Sequence, residues 1–129
     1  MIGEEAIAGF DFGALRDAIE RRDPESLVGF YALDAELRIV NAAATEGPAF
    51  RLSGRAEIGR YLRAMCLQRA SCAVEEETVQ DEHVVFQEVC EYPDGSRVSI
   101  ETTLELREGK ICHQLDVASR PRVEGRDRR

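Results

Sequence analysis

The 129-residue sequence predicts a single α+β domain, and its layout carries that reading. Helix-periodic segments fill the first half, and four strand-like segments joined by short turn signals fill the second. A composition of 43% hydrophobic and 33% charged residues belongs to a globular chain with a core to bury. Residues 1–119 are read as the domain, and 120–129 as a basic, disordered tail.

The first helix is "FGALRDAIERR", where Phe12, Leu15 and Ile19 share one face. Asp23 then caps a short second helix, with Pro24 in the first position that tolerates proline; it is read through Leu27, Val28, Phe30 and Tyr31. "AELRIVNA" alternates as a strand, with Leu37 and Ile39 on one side. "AATEGPAFRLSG" reads as a long connection ending at Ser53, a suitable cap for the helix "GRAEIGRYLRAM". In that helix Ile58, Tyr61, Leu62 and Met65 form a stripe read as core. The strands "CAVEEETV", "EHVVFQEVCEY", "SRVSIETTLELR" and "KICHQLDVAS" follow, joined at "QD", "PDG" and "EG".

Charge and cysteine usage exclude several functions. The net charge is −8; the tail, with five Arg against Glu124 and Asp127, contributes +3, so residues 1–119 hold −11. Such a body repels a phosphate backbone, and no nucleic-acid partner is expected. No apolar run approaches the roughly 20 residues of a membrane span, and the N-terminus does not read as a secretory signal, so the protein is expected to be cytoplasmic. Cys66, Cys72, Cys90 and Cys112 lack zinc-type spacing and are read as reduced thiols in small apolar spaces. No nucleotide-binding glycine motif occurs.

Three features in order suggest a family. They are D-x-x-x-L-x-x-x-Y from Asp23 to Tyr31, G-x-x-x-I-x-x-Y-L from Gly54 to Leu62, and G-K-I after the last turn. With the strand run that follows, residues 10–119 resemble the SnoaL-like proteins, of the nuclear transport factor two and ketosteroid isomerase superfamily. The resemblance implies a cone-shaped fold: three N-terminal helices packed on a curved, mostly antiparallel sheet. It also implies an apolar pocket on the concave face and a homodimer through the convex face. By alignment, the positions of the steroid isomerase's proton-moving Asp, its Tyr and its second Asp hold Ile39, Leu15 and Thr102. Steroid isomerase chemistry is therefore not expected.

The face taken by Asp116 decides what remains. If "EG" is a two-residue turn, Arg107 pairs with Lys110 and Asp116 faces Glu101, away from the pocket. If "REG" is a three-residue loop with Gly109 left-handed, Leu106 pairs with Lys110 and Asp116 faces Ile100, on the concave side. "PDG" suits a type I turn with Gly95 left-handed, which pairs Glu88 with Ile100 and Phe86 with Thr102. The three-residue loop is preferred, because the two-residue turn sets the like charges of Glu101 and Asp116 face to face; the loop places Glu88, Ile100 and Asp116 in one row on the pocket side. The solvated alternative stays open.

Asp116 and Glu88 are accordingly the candidate acid–base residues. Ile39, Tyr61, Phe86, Ile100, Thr102, Cys112 and Gln114 are the candidate substrate-binding residues. His83 and His113 fall on the other face with no third ligand, so no metal is expected, and no organic cofactor either. Thiol catalysis by Cys112 lacks a base beside it. The expected function is isomerisation, cyclisation or dehydration of a compact apolar or polyketide-like molecule. The alternative is a non-catalytic dimeric binding or association domain of the same fold.

Overall fold

Asp11 fixes the start of the first helix, because its carboxylate accepts the Ala14 N–H at 3.0 Å. In the computed structural model, which describes residues 9–41 and 50–119, α1 spans Phe12–Glu20 and buries Phe12, Leu15, Ala18 and Ile19. Asp23 caps α2 (Pro24–Val28) through the Ser26 N–H, with Pro24 at its start. The helix stops at Gly29, so Phe30 and Tyr31 are not helical as expected. Phe30 instead accepts the Ile111 N–H at 2.9 Å, and Tyr31 opens β1 (Tyr31–Asn41). A long-range bond therefore ends that helix.

The connection before the third helix contains β2 (Phe50–Ser53), antiparallel to β1. Four residues are too few for alternation to stand out in sequence. Ser53 is not the cap of α3 (Arg55–Gln68); Gly54 is, at φ 90°, and no side chain bonds there. The Ser53 N–H is instead taken by the Glu57 carboxylate at 2.8 Å.

β3 (Ser71–Gln80), β4 (His83–Glu91), β5 (Arg97–Arg107) and β6 (Lys110–Ser119) complete a six-stranded sheet ordered β2-β1-β6-β5-β4-β3. The β1–β6 pair is parallel and the rest are antiparallel. This is the expected α+β fold, with one correction: α3 follows two strands, so the helices are not all N-terminal. Among the described residues, no helix is long and apolar enough to cross a membrane. The basic tail lies outside the described residues.

The β4–β5 hairpin has the expected register. Gly95 adopts φ 91°, the Tyr92 N–H donates to Ser96 O at 2.9 Å, and Glu88 and Phe86 face Ile100 and Thr102. The β5–β6 hairpin opens with the two-residue turn rather than the preferred three-residue loop, and beyond a bulge it keeps neither expected register. Glu108 and Gly109 both have positive φ (54° and 80°), a two-residue type I′ turn that pairs Arg107 with Lys110. A bulge after Leu106↔Ile111 then shifts the pairing to Glu105↔His113 and Thr102↔Asp116. One extra residue reverses the facing of everything beyond it. Ile111 thus points to the helices from one side of the bulge, and Gln114 and Asp116 do so from the other.

Glu108 is an exposed β-carbon residue in left-handed backbone, where asparagine is better tolerated. Glu108→Asn is expected to raise stability by about 0.5–1 kcal/mol, measured as a higher urea midpoint. An unchanged midpoint would mean that the turn is not strained.

Candidate functional site

The concave sheet face and the three helices enclose a cavity of about 50 Å³. Leu15 and Ile19 of α1, Leu27 of α2 and the α3 stripe of Tyr61, Leu62 and Met65 close it from the helix side. The stripe read as core therefore divides: Ile58 is fully buried, while the other three line the cavity. Phe86 forms part of the sheet wall, its ring edge-on to Phe12 at 5.4 Å.

Asp116 reaches the cavity from β6 and is 8% exposed. Its Oδ1 accepts from Gln114 Nε2 at 2.9 Å and from Thr102 Oγ1 at 3.2 Å. The amide of Gln114 is oriented from behind, since its Oε1 accepts the Tyr31 hydroxyl at 2.6 Å. Both bonds to Asp116 fall on Oδ1, which leaves Oδ2 for a bound molecule. Burial pushes the Asp116 carboxyl up to about 6, against the Gln114 and Thr102 hydrogen bonds and the Arg69 charge.

Glu88 enters from β4 and is equally buried, at 8%. Its Oε1 lies 3.7 Å from Cys90 Sγ and 3.8 Å from Arg69 Nη1. Burial, and then the charge of Asp116, raise its carboxyl to about 7, with Arg69 opposing. The two acids ionise in sequence, and the first charge resists the second. Burial and Asp116 also push the Tyr61 phenol up to about 12, so it stays a hydrogen-bond donor at neutral pH.

Of the residues expected at the site, Asp116, Glu88, Tyr61, Phe86 and Gln114 line the cavity. Thr102 stands one layer behind, fully buried, and supports Asp116. Ile100 is buried in the row of Glu88 but does not line the cavity. Ile39 only packs against the core, and Leu37 takes the lining position on its strand. Cys112 is a correction with a definite cause. It sits at the bulge, where its Sγ turns to Glu105 O at 3.3 Å, and Ile111 lines the cavity in its place.

Two site residues escaped the sequence reading. Tyr31 ends a segment whose pattern predicts a helix, and Arg69 follows α3 in "LQRAS", where nothing marks it. Arg69 is the cation that faces the acid pair, with 14% of its side chain exposed. On the opposite sheet face His83 and His113 flank Glu105 at 3.7 and 3.6 Å. Among the described residues, no group of three or more ligating side chains could hold a metal ion.

A SnoaL-like domain model matches residues 12–114. Among solved structures, an NTF-2-like protein of unknown function from Burkholderia xenovorans LB400 is 19% identical, with a TM-score of 0.71 over 87% of this chain and 82% of its own. A Kribbella flavida DSM 17836 protein, provisionally called a ketosteroid isomerase, is 17% identical, with a TM-score of 0.63 over 87% of this chain and 76% of its own. A de novo designed protein with a curved β-sheet is 16% identical, with a TM-score of 0.67 over 90% and 88%. Among curated proteins, none matches. A designed scaffold as similar as the natural ones makes plain that these likenesses concern fold alone. The family model, spanning most of the sequence, settles the family: the chain belongs to the SnoaL-like domain family.

Proposed function

We propose that this protein moves protons on a compact, largely apolar small molecule held in the cavity, using Asp116 as base and Glu88 as acid. The reaction class is isomerisation, cyclisation or dehydration, and it needs neither a metal nor an organic cofactor. One observation carries the reading: two buried carboxyls, raised to about 6 and about 7, line the same cavity. Near neutral pH one is ionised and the other about half protonated, so a base and an acid coexist at one site. Tyr61 adds a neutral donor for an oxygen that gains charge. Apolar side chains from all three helices keep bulk water from the acids.

A cavity of about 50 Å³ holds a few water molecules. A ligand therefore has to be small, or has to displace side chains such as Met65 and Leu62. That tightness favours the second reading, a non-catalytic domain whose cavity takes no substrate. The deciding experiment uses small cyclic ketones in deuterated water, with NMR following loss of the acidic C–H signal. Protein-dependent exchange supports the enzyme. No exchange across a broad panel, with no thermal shift from any ligand, supports the second reading.

The assembly proposed is a homodimer through the sheet face away from the helices. Val85, Val89, Leu115 and Val117 are half-buried there, and Val85 and Leu115 share a row across Thr103. Light scattering at micromolar concentration is expected to give twice the chain mass, and Leu115→Glu to return it to one. A wild-type monomer would remove the dimer.

A further inference from the structure

Cys72 and Cys90 face each other across β3 and β4 as direct cross-strand partners, their sulfurs 3.1 Å apart. Neither takes part in the chemistry above. Directly opposed antiparallel residues have α-carbons about 4.5–5.5 Å apart, inside the range a disulfide spans. The bond could therefore form with little backbone movement. The two thiols differ in access: Cys72 is 9% exposed and lines the cavity, whereas Cys90 is fully buried.

Arg69 supplies a second, independent observation. Its Nε is the one buried side-chain nitrogen or oxygen among the described residues that lacks a hydrogen-bond partner. A buried donor without an acceptor is costly, and a charged acceptor beside it would relieve that cost. The guanidinium lies within the electrostatic reach of both thiols.

We propose that Cys72 and Cys90 form a peroxide-sensitive dithiol, with Cys72 the attacking thiolate, Cys90 the resolving thiol and Arg69 the counter-cation. The Cys72 thiolate attacks one oxygen of a hydroperoxide. An S–O bond forms, the O–O bond breaks, and the departing oxygen leaves as hydroxide or alkoxide, which is protonated to water or an alcohol. The Cys90 sulfur then attacks the Cys72 sulfenic sulfur. The S–S bond forms as the S–O bond breaks, and the hydroxyl departs as water with the Cys90 proton. Two thiols lose two electrons in all, and the peroxide gains them. The roles follow from access, since Cys72 lines the cavity and the fully buried Cys90 does not.

The charged and titratable groups around the pair are Arg69 beyond α3, Arg22 beyond α1, Cys66 on α3 and Glu88 on β4. Contact with Cys90 and the nearby arginines draws the Cys72 thiol down to about 7, against burial. The same contact, together with burial, pushes Cys90 up. Cys66 is raised by burial, and Cys112 is engaged by Glu105 O on another strand. Neither competes for the peroxide. Closing the bond would remove the S–H that faces Glu88 at 3.7 Å, so oxidation would also alter the acid pair. The dithiol does not depend on whether the cavity is catalytic.

The test is hydrogen peroxide on the folded full chain, followed by alkylation of the remaining thiols and peptide mapping. The expected result is a Cys72–Cys90 cross-link, reversed by dithiothreitol, forming with a rate midpoint near pH 7, while Cys66 and Cys112 are alkylated. Cys90→Ser should give no cross-link and leave a sulfenic acid on Cys72 that a dimedone-type probe captures. Arg69→Met should slow the reaction about tenfold at pH 7 and move its midpoint up. If Arg69→Met fails to fold by circular dichroism, Cys90→Ser decides alone, because it keeps the arginine. Alkylation of all four wild-type thiols after peroxide would overturn the proposal. So would a first cross-link through Cys66 or Cys112, or oxidation that appears only in denaturant.

Discussion

Asp116→Asn is expected to slow proton exchange on any accepted substrate by about 10²–10⁴-fold, the usual contribution of a positioned base. The substitution preserves shape. Asparagine Oδ1 can still accept from Gln114 and Thr102, and Tyr31 still orients Gln114. Only the second oxygen changes, from a proton acceptor to an amide. Ligand binding, read as a thermal shift, should therefore survive while exchange is lost. Glu88→Gln should reduce the rate as well, through loss of the acid. The wild-type rate should trace a bell with limbs near pH 6 and pH 7, since the base must be ionised and the acid protonated. Exchange by Asp116→Asn at the wild-type rate would end the assignment of Asp116 as base.

The same two acids should make the folded protein less stable as pH rises from about 4 to about 7. Their folded-state values, about 6 and about 7, lie above the ordinary 3.8 and 4.5. Within that window the native chain holds protons that the unfolded chain has released, so the slope of stability against pH is negative. The stabilisation is complete below pH 4 and gone above pH 7. Each pKa unit corresponds to about 1.4 kcal/mol, so the loss is on the order of 3 kcal/mol per acid. Asp116→Asn and Glu88→Gln should each flatten the curve and exceed the wild type at pH 8. The double variant should gain less than the two singles combined, because removing either charge relieves the other. Asp23 and Asp34 are shifted the opposite way and act below pH 4, outside this window. Wild-type and variant urea midpoints that run parallel from pH 4 to pH 8 would place both carboxyls in a solvated setting.

Sequence by itself determined the elements whose causes are local. The α1 face of Phe12, Leu15 and Ile19, the Asp23–Pro24 start of α2 and the β4–β5 register set by the turn around Gly95 were all legible. Each depends on residues within one turn or one hairpin of each other. Tertiary structure alone decided the rest. Tyr31 left the helix because Phe30 bonds to Ile111, 81 positions away in the chain. Arg69 became the cation of the site because the fold brings its guanidinium, just past α3, within 3.8 Å of Glu88 on β4. The facing of Asp116 rested on a bulge that no hairpin rule supplies. The type I′ turn and the inward Leu106 and Ile111 require one register, while inward Gln114 and Asp116 require another. One inserted residue at Cys112 satisfies both, and the parallel partner β1 breaks register over the matching span, Tyr31 to Glu36. A strand buried between two neighbours must satisfy both ladders at once, and a sequence window sees neither of them.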